Sequence, residues 1–401
     1  MDYAKESLKK HAEWRGKIEI SPRAPVYTNE ELMLAYTPGV AEACKAIHND
    51  VNLSYELTRR WNTVPVITDG TAVLGLGDIG PEAGMPVMEG KCALFKAFGD
   101  VDAYPLCIKS KDTEDIIKTI KLLSGSFGGV NLEDISAPRC FEIERRLKEE
   151  LDIPVFHDDQ HGTAIVIAAA LLNALKIVKK DISEIKVVVN GAGAAGIAIS
   201  KYLMSFGVKD LIAVDRLGII CEGDTRFNSA QQELGCISNP CHLTGTLKDA
   251  MKGADVFVGV SVGGCVTQDM VRSMNEKAIL FPCANPIPEI TPQEAKEAGA
   301  YIVGTGSSQY PNQINNVLVF PGLFRGALDV RASTINDEMM KAASIGIASC
   351  VKDEDLRIDY ILPYAYDKKA HETVAKAVKE AAIKTGVNRI WIHYSIESMK
   401  N

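Results

Sequence analysis

The first part of the chain alternates short apolar runs with amphipathic stretches. Runs such as VPVIT, DAYPLCI and IPVF have the length and composition of buried strands, whereas EDIIKTIKLLSG and CFEIERRLKEEL repeat their apolar positions at helical spacing. Pro22, Pro25, Pro38 and Pro81 mark breaks between such runs. This alternation of strands and helices predicts an α/β domain.

From His161 the pattern changes to a long apolar helix, GTAIVIAAALLNALKIVKK. Five strand-like runs follow, separated by helical stretches: IKVVVNGAG, DLIAVD, DVFVGV, AILFPCANP and AYIVGTG. Strands separated by helices form a parallel, doubly wound sheet. The expected fold class is therefore α/β with two domains, an N-terminal α/β domain and a doubly wound Rossmann-type domain.

We place the first domain at residues 1–158 and the Rossmann-type domain at residues 159–316. Helical patterns return near residues 336–350 and 368–384. We expect the C-terminal segment, residues 317–401, to complete the first domain with these helices. The cleft between the two domains is the expected place for a small-molecule site.

Composition and charge narrow the class of protein. The chain has 401 residues, 46% apolar and 24% charged, with a net charge of −8 and no stretch that concentrates basic residues, so we expect no nucleic acid partner. The longest unbroken apolar run, Ala164 to Leu172, is too short for a membrane span. Ten cysteines without a CxxC pair, and an N-terminus without a signal-peptide pattern, predict reduced thiols and a cytoplasmic protein.

A glycine motif in the second domain has the context of a dinucleotide-binding loop. Gly191, Gly193 and Gly196 follow the strand-like run from Lys186 and open a helix, so the loop Gly191-Ala192-Gly193-Ala194-Ala195-Gly196 can present backbone N–H groups to a pyrophosphate. Asp215 ends the next strand, where a partner for a ribose hydroxyl belongs. The alternative is a glycine-rich turn that only packs a strand on a helix.

A second match to the same motif lies in the first domain. Gly75, Gly77 and Gly80 are followed by Pro81 and by no strong helical pattern. We interpret this stretch as a turn near the active site and not as a second cofactor loop.

Two acidic pairs differ from the other acids of the chain. Glu133 and Asp134 close the run GGVNL, and Asp158 and Asp159 close the run IPVF. Ligands bind at strand ends in α/β sheets, and clustered carboxylates repel one another unless a cation neutralises them. Hard oxygen ligands in small number suit Mg²⁺ or Mn²⁺.

Two histidines flank the second acidic pair. His157 and His161 have the i, i+4 spacing of a zinc motif, but the sequence places His157 at a strand end and His161 at a helix start. We therefore expect both to pack or to support the site without binding a metal.

Eight segments together resemble the malic enzymes in their short bacterial and archaeal form. In order, these are AYTPGVAEACKAIH, TDGTAVLGLGDIGPEAG, PVMEGKCALFKAF, FGGVNLEDI, PVFHDDQHGTAI, NGAGAAGIAI, CANPIPEI and PNQINNVLVFPGLFRGALDVRA. The resemblance implies oxidative decarboxylation of (S)-malate to pyruvate and CO₂, with reduction of NAD or NADP. It also implies a required Mg²⁺ or Mn²⁺ ion and a homodimer.

The resemblance also implies roles for single residues. Tyr36 and Lys91 match the catalytic tyrosine and lysine, and Asp158 matches an acid that supports catalysis. The metal carboxylates match Glu133, Asp134 and Asp159, while Asn285 and Asn316 match substrate or nicotinamide contacts. Lys91 would remove the C2 hydroxyl proton, with its pKa lowered by burial or by the cation, and Tyr36 would protonate C3.

Several questions stay open at this stage. Where larger relatives have an arginine near the substrate carboxylate, this chain has Ala72, so the residue that binds the distal carboxylate is unassigned. Asp215 favours NAD, whereas Arg216, assisted by Lys201 or Lys209, could bind the additional phosphate of NADP. Two other functions are a metal-independent amino-acid dehydrogenase and a non-enzymatic dinucleotide sensor.

Overall fold

Two parallel sheets form the framework of the computed structural model, which describes residues 3–73 and 75–390. The first sheet has the order β2-β1-β3-β4, and the second has the order β10-β9-β8-β5-β6-β7, with only β7 antiparallel. The strands are β1 Thr63–Thr68, β2 Asp102–Cys107, β3 Val130–Leu132, β4 Val155–His157, β5 Lys186–Asn190, β6 Asp210–Asp215, β7 Gly218–Ile219, β8 Val256–Gly259, β9 Ile279–Pro282 and β10 Ile302–Val303. The predicted fold class is confirmed.

Helices cover the sheets and continue beyond the last strand. They are α1 Tyr3–Trp14, α2 Asn29–Ala35, α3 Val40–Asn49, α4 Ser54–Leu57, α5 Pro81–Gly99, α6 Thr113–Leu123, α7 Arg139–Glu150, α8 Thr163–Val178, α9 Ala194–Ser205, α10 Ser229–Ile237, α11 Leu247–Met251, α12 Gln268–Arg272, α13 Pro292–Glu297, α14 Phe320–Asp329, α15 Asp337–Ser349 and α16 Lys368–Lys384. A π-helical turn, Asp158–Gly162, joins β4 to α8. Short 3₁₀ turns are Val51–Leu53, Arg59–Asn62, Ser124–Ser126 and Asn316–Leu318.

Helix α8 lies at the centre of the molecule. With the preceding turn it forms a 21-residue apolar helix, Asp158–Val178, which by length and composition alone could cross a membrane. However, it packs against α9 and α15, and 72% of its most apolar window is buried. A helix that is apolar on all sides is expected in the core of a large domain. We therefore assign it as a core helix.

The structure corrects one prediction about the segment that follows the glycine motif of the first domain, Gly75, Gly77 and Gly80. A helix of 19 residues, α5, begins at Pro81 directly after Gly80, where the sequence shows no strong helical pattern. Proline is favourable at the first helical position, and tertiary packing overrides the poor helix propensity of the internal glycines and of Pro86. Because α5 packs on β1 and β2, this misread helix carries Lys91 into the core.

The C-terminal helices pack against α5, which covers the first sheet, and against α8. Helix α14 contacts α5 and α16, and α15 contacts α8 and α16. A Cβ atom at Gly99 would lie 2.6 Å from the Pro321 carbonyl oxygen, and one at Gly326 would lie 2.4 Å from the Ala375 carbonyl oxygen, so glycine permits this close helix packing. The domain boundaries stay a prediction, and residues 391–401 of the third segment lie outside the described residues.

One part of the chain takes no share in this core. Residues 19–49, which contain α2 and α3 and are called the N-terminal arm below, include no buried residue. Their helices are nonetheless well formed, because Thr28 caps α2 in a reciprocal capping box with Glu31. Many of the exposed side chains are large and apolar: Ile20, Val26, Tyr27, Leu32, Met33, Leu34, Tyr36 and Val40.

Candidate active site

The two acidic pairs meet at the carboxyl edge of the first sheet. Strands β3 and β4 are neighbours in register, with Leu132 opposite His157. The chain leaves β3 through Glu133 and Asp134, and it leaves β4 through Asp158 and Asp159. Because parallel strands end at the same edge, the register alone brings the four acids together.

Three of these acids form a compact cluster. Carboxylate oxygens of Glu133, Asp134 and Asp159 all lie within 4.8 Å of one another. The Asp134 backbone N–H donates to Asp159 Oδ2 at 2.7 Å, from a left-handed conformation with φ of 53° that aspartate tolerates better than most residues. Asn131 Nδ2 donates to Glu133 Oε2 at 2.9 Å and orients that carboxylate.

Lys91 enters the cluster from α5. Its buried Nζ donates to Asp158 Oδ2 and lies 2.9 Å from Glu133 Oε1, while the Phe320 ring packs 4.2 Å from the same nitrogen. Burial would lower the pKa of Lys91, but the charges of Asp158, Glu133 and Asp159 raise it above its ordinary value. Burial alone therefore does not give the lowered lysine pKa expected from the sequence, which leaves the cation as the group that would lower it.

The donor set fits a divalent cation. Burial, together with the charge of Asp159, raises the pKa of Glu133 to about 7, and burial raises the pKa of Asp158 to about 7. A single lysine thus lies among four clustered acids, of which three are buried and Asp159 is partly buried, and uncompensated buried charge is strongly unfavourable. Oxygen ligands in this number suit Mg²⁺ or Mn²⁺ and leave positions for a substrate.

The two histidines contact different partners. His157 is buried, its Nδ1 lies 3.8 Å from Asp159 Oδ2, and burial lowers its pKa to about 4. His161 lies on the π-helical turn, and its Nε2 lies 2.9 Å from Glu144 Oε2. No helical face presents both imidazoles, in keeping with a supporting role.

The glycine loop of the second domain is built for close backbone approach. Gly191 has φ of 106°, and a Cβ atom at Gly196 would lie 1.8 Å from the Gly191 carbonyl oxygen. Nothing lies within 4 Å of the Cβ position of Gly193, which caps α9. The N-terminus of α9 therefore faces open space in which a pyrophosphate can approach the backbone.

Asp215 lies across the same cavity from this loop. The cavity, of about 540 Å³, is bounded by residues 190–193, 214–218, 245–247, 261, 262 and 265. Gln231 Nε2 donates both to Asp215 Oδ2, at 3.1 Å, and to the Ala192 carbonyl oxygen, at 3.0 Å. Gln231 thereby ties the acid to the glycine loop. Lys201 does not line this cavity and lies 3.6 Å from Glu233.

Asn285 and Asn316 lie at the junction of the two domains. A Cβ atom at Gly75 would be 2.6 Å from the Asn285 carbonyl oxygen, so the glycine motif of the first domain contacts the loop after β9. A Cβ atom at Gly162 would lie 3.2 Å from Asn316 Cβ and 2.0 Å from Asp158 Oδ1. Asn316 is thus a neighbour of the turn that carries the second acidic pair.

Tyr36 is not part of this assembly within one chain. It ends α2 in the N-terminal arm, its side chain is 70% exposed, and α2 packs mainly on α3. Among the described residues, its hydroxyl has no hydrogen-bond partner. The structure therefore brings Lys91 and the acids together but leaves Tyr36 on the surface.

Comparison with known proteins decides the family. The model of the malic enzyme N-terminal domain matches residues 15–148, and the model of the malic enzyme NAD-binding domain matches residues 160–383. The chain belongs to the malic enzyme family. It is an oxidoreductase with an NAD(P)-binding domain, and the family resemblance drawn from its eight motifs is confirmed.

Individual malic enzymes are similar over nearly the whole length. The "Bifunctional malic/malolactic enzyme" of Bacillus subtilis is 55% identical over 393 residues, which are 98% of this chain and 96% of that protein. The "NAD-dependent malic enzyme" of Geobacillus stearothermophilus is 57% identical over 374 residues, 93% of this chain and 78% of that protein. The crystal structure of a Thermotoga maritima NAD-dependent malic enzyme superposes with a TM-score of 0.90 at 49% identity, covering 93% of this chain and 98% of that one.

Three residues near the candidate site were not predicted from the sequence. Asn131, a buried amide inside a three-residue strand, orients Glu133, and its polarity within an apolar run was the available signal. Gln231 had no such signal, because its contacts to Asp215 and to the glycine loop depend on how α10 docks. Arg139 also went unnoticed; it pairs with Asp69 at 2.8 Å beside Thr71.

Proposed function

We propose that this malic enzyme converts (S)-malate to pyruvate and CO₂ with reduction of NAD or NADP. The observation that carries the proposal is the buried Lys91, held between Glu133 and Asp158 beside a cluster of three carboxylates. A surface lysine or a packing acid pair would not be arranged in this way. The relatives named above as malic enzymes support the same reaction.

Glu133, Asp134 and Asp159 would hold the cation, which supplies Lewis-acid polarisation of the substrate's C2 oxygen. Asn131 keeps Glu133 oriented, and the Asp134 backbone N–H keeps Asp159 oriented. Such supporting hydrogen bonds fix the ligands before the substrate arrives. A metal-independent amino-acid dehydrogenase has no use for this set.

Lys91 takes the proton of the C2 hydroxyl as hydride passes to the nicotinamide. For this, its Nζ must first lose a proton, and Asp158 is placed to accept it because Lys91 Nζ already donates to Asp158 Oδ2. A cation held by the neighbouring carboxylates would offset the negative charges that raise the pKa of Lys91. Asp158, whose own pKa is raised to about 7 by burial, would then accept the proton more readily. We assign Asp158 as the proton relay of Lys91, and Asn285 and Asn316 as substrate or nicotinamide contacts.

Tyr36 delivers the proton to C3 after CO₂ has left, and it does so from a second copy of the chain. The N-terminal arm that carries Tyr36 buries nothing in its own chain, although α2 and α3 are seven and ten residues long. Isolated helices of this length are marginal in water without tertiary packing. A homodimer that covers the arm explains both its apolar surface and the missing tyrosine.

NAD is the preferred cofactor in this proposal. Gln231 holds Asp215 Oδ2, which leaves Oδ1 for the ribose hydroxyls, and the fixed carboxylate repels an added phosphate. Lys201 is directed elsewhere, so of the basic residues considered only Arg216 lines the cavity. The glycine loop Gly191–Gly196 receives the pyrophosphate.

We also propose a cytoplasmic location and the domain division expected from the sequence. Ten free cysteines suit a cytoplasmic enzyme, and burial raises the pKa of Cys92 and of Cys140 to about 12, which keeps these thiols unreactive. Contacts of α14 and α16 with α5 support a C-terminal segment that completes the domain of residues 1–158. The cofactor domain then spans residues 159–316.

A spectrophotometric assay tests the function. Protein, (S)-malate, Mn²⁺ and NAD or NADP should produce reduced cofactor and one equivalent of pyruvate. Reduction without pyruvate would indicate a dehydrogenase that does not decarboxylate. No reduction with any combination would leave the dinucleotide sensor as the better function.

A further inference from the structure

A second cavity lies outside the catalytic cleft. It encloses about 390 Å³ between α7, α9, α15 and the π-helical turn, and it shares no lining residue with the cofactor cavity. None of the metal-site carboxylates line it. Its volume is within the range of small-molecule sites.

The charged groups of this cavity favour an anion. Its acid Glu144 is already engaged, since it accepts from the His157 backbone N–H at 3.2 Å and lies 2.9 Å from His161 Nε2 and 2.8 Å from Lys148 Nζ. The cavity lining contains one other acid, Asp337, and two further cations, Arg145 and Lys201.

These two cations form only exposed ion pairs with acids of their own chain. Arg145 pairs with Glu149 at 3.0 Å, and Lys201 lies 3.6 Å from Glu233, with both acids outside the cavity lining. All four side chains are largely exposed, and ion pairs between exposed groups contribute little. Both cations can therefore turn to a ligand at small cost.

A buried amide in the cavity lining has an unpaired hydrogen-bond donor. Gln160 lines the cavity and is only 3% exposed, yet its Nε2 has no hydrogen-bond partner. Buried donors are nearly always paired, and an unpaired one is unfavourable. Phe141, Ile197 and Met340 give the same cavity apolar walls for a carbon skeleton.

We propose that this cavity is a binding site for a small organic anion whose carboxylate or phosphate oxygens accept from Gln160 and face Arg145, Lys148 and Lys201. A ligand there contacts the turn that also carries Asp158 and Asp159, and it contacts α9, whose N-terminus forms the cofactor loop. The site is therefore placed to influence catalysis without touching malate.

Isothermal titration calorimetry on the full-length protein tests binding, with glycerol 3-phosphate as the phosphate probe and benzoate as the carboxylate probe. The wild type should bind at least one of them. The double variant Arg145→Ala/Lys201→Ala should raise its Kd by at least about 10-fold, because two charge-assisted contacts are lost. The control variant Lys352→Ala/Lys384→Ala, which removes the same charge elsewhere, should leave the Kd unchanged.

Amide hydrogen exchange then locates the bound probe. Protection should appear in residues 157–163 and 194–205, and Gln160→Met should remove it. Equal binding by both double variants, protection confined to residues 130–135, or no binding of either probe would each overturn the proposal. None of these results depends on turnover of malate.

Discussion

The carboxylate site and the N-terminal arm differ in how their side chains are buried: the site buries polar groups, whereas the arm exposes apolar ones. Glu133, Asp158 and Lys91 are polar side chains buried by their own fold, where each has a charged partner. Tyr27 and Leu34 in the arm are large apolar side chains, 83% and 72% exposed. Polar groups inside a fold and apolar groups outside it both indicate function. The first indicates chemistry, and the second indicates a protein surface that must be covered.

This comparison divides the malic enzyme site into two parts. In the proposed mechanism, the metal-binding and base-containing part lies within one chain, where sheet register and helix α5 bring its residues together. In the same proposal, the proton donor Tyr36 is carried on the N-terminal arm, which has no buried residue in its own chain. Single substitutions can disturb these two parts one at a time.

Replacing the base should have the largest effect. Lys91→Met should reduce kcat for malate oxidation by roughly 10² to 10⁴-fold, the usual range for loss of a general base. Lys176→Met removes an exposed lysine paired with Asp353 and is the matched control. Malate oxidation near the wild-type rate across pH 6 to 9 would remove Lys91 from its assigned role.

Metal removal should affect the same part. Chelation should abolish turnover, and Asp159→Asn should raise the Mn²⁺ concentration for half activity by well over ~10-fold, since a direct ligand should matter at least as much as a supporting residue. Asp353→Asn, at an exposed site, is the control. Full activity of the dialysed and chelated protein would contradict the metal site.

A charge placed on the N-terminal arm should weaken the proposed dimer. Leu34→Asp should weaken the dimer by at least ~10-fold in Kd, measured by sedimentation equilibrium, because it places a carboxylate in an apolar contact. Leu122→Asp changes an equally exposed leucine on α6 and should leave the dimer intact. If both variants sediment like the wild type, the arm does not form the interface.

The smallest effect concerns cofactor choice. Gln231→Glu places a second carboxylate beside Asp215 and should raise the KM for NAD by about 10-fold, corresponding to a loss of about 1.4 kcal/mol. Gln231→Met removes the hydrogen bond without adding charge and should have a smaller effect. Asp215→Ser should shift the ratio of kcat/KM toward NADP. Unchanged ratios in all three variants would contradict the assigned role of Asp215.

Much of this architecture follows from local pattern, and some does not. Nine of the ten strands were evident because each is a short apolar run between polar breaks, whereas the two-residue β7 was not predicted. The four acids follow from strand ends. Helix α5 was missed because Gly84, Pro86 and Gly90 obscure its pattern, and only packing makes it helical. Gln231 depends on how helix α10 docks. The exposure of Tyr36 depends on how the N-terminal arm packs, which the local sequence pattern does not show.

The most direct test of the two-chain site is complementation between two inactive variants. Tyr36→Phe and Lys91→Met are co-expressed with different tags, and the mixed dimers are purified beside each parent. If Tyr36 acts on the partner's site, one site of each mixed dimer has both native residues, so mixed dimers should show about half of wild-type activity. If Tyr36 and Lys91 act within one chain, every site lacks one of them. Activity no higher than the mean of the two parents would then contradict the account.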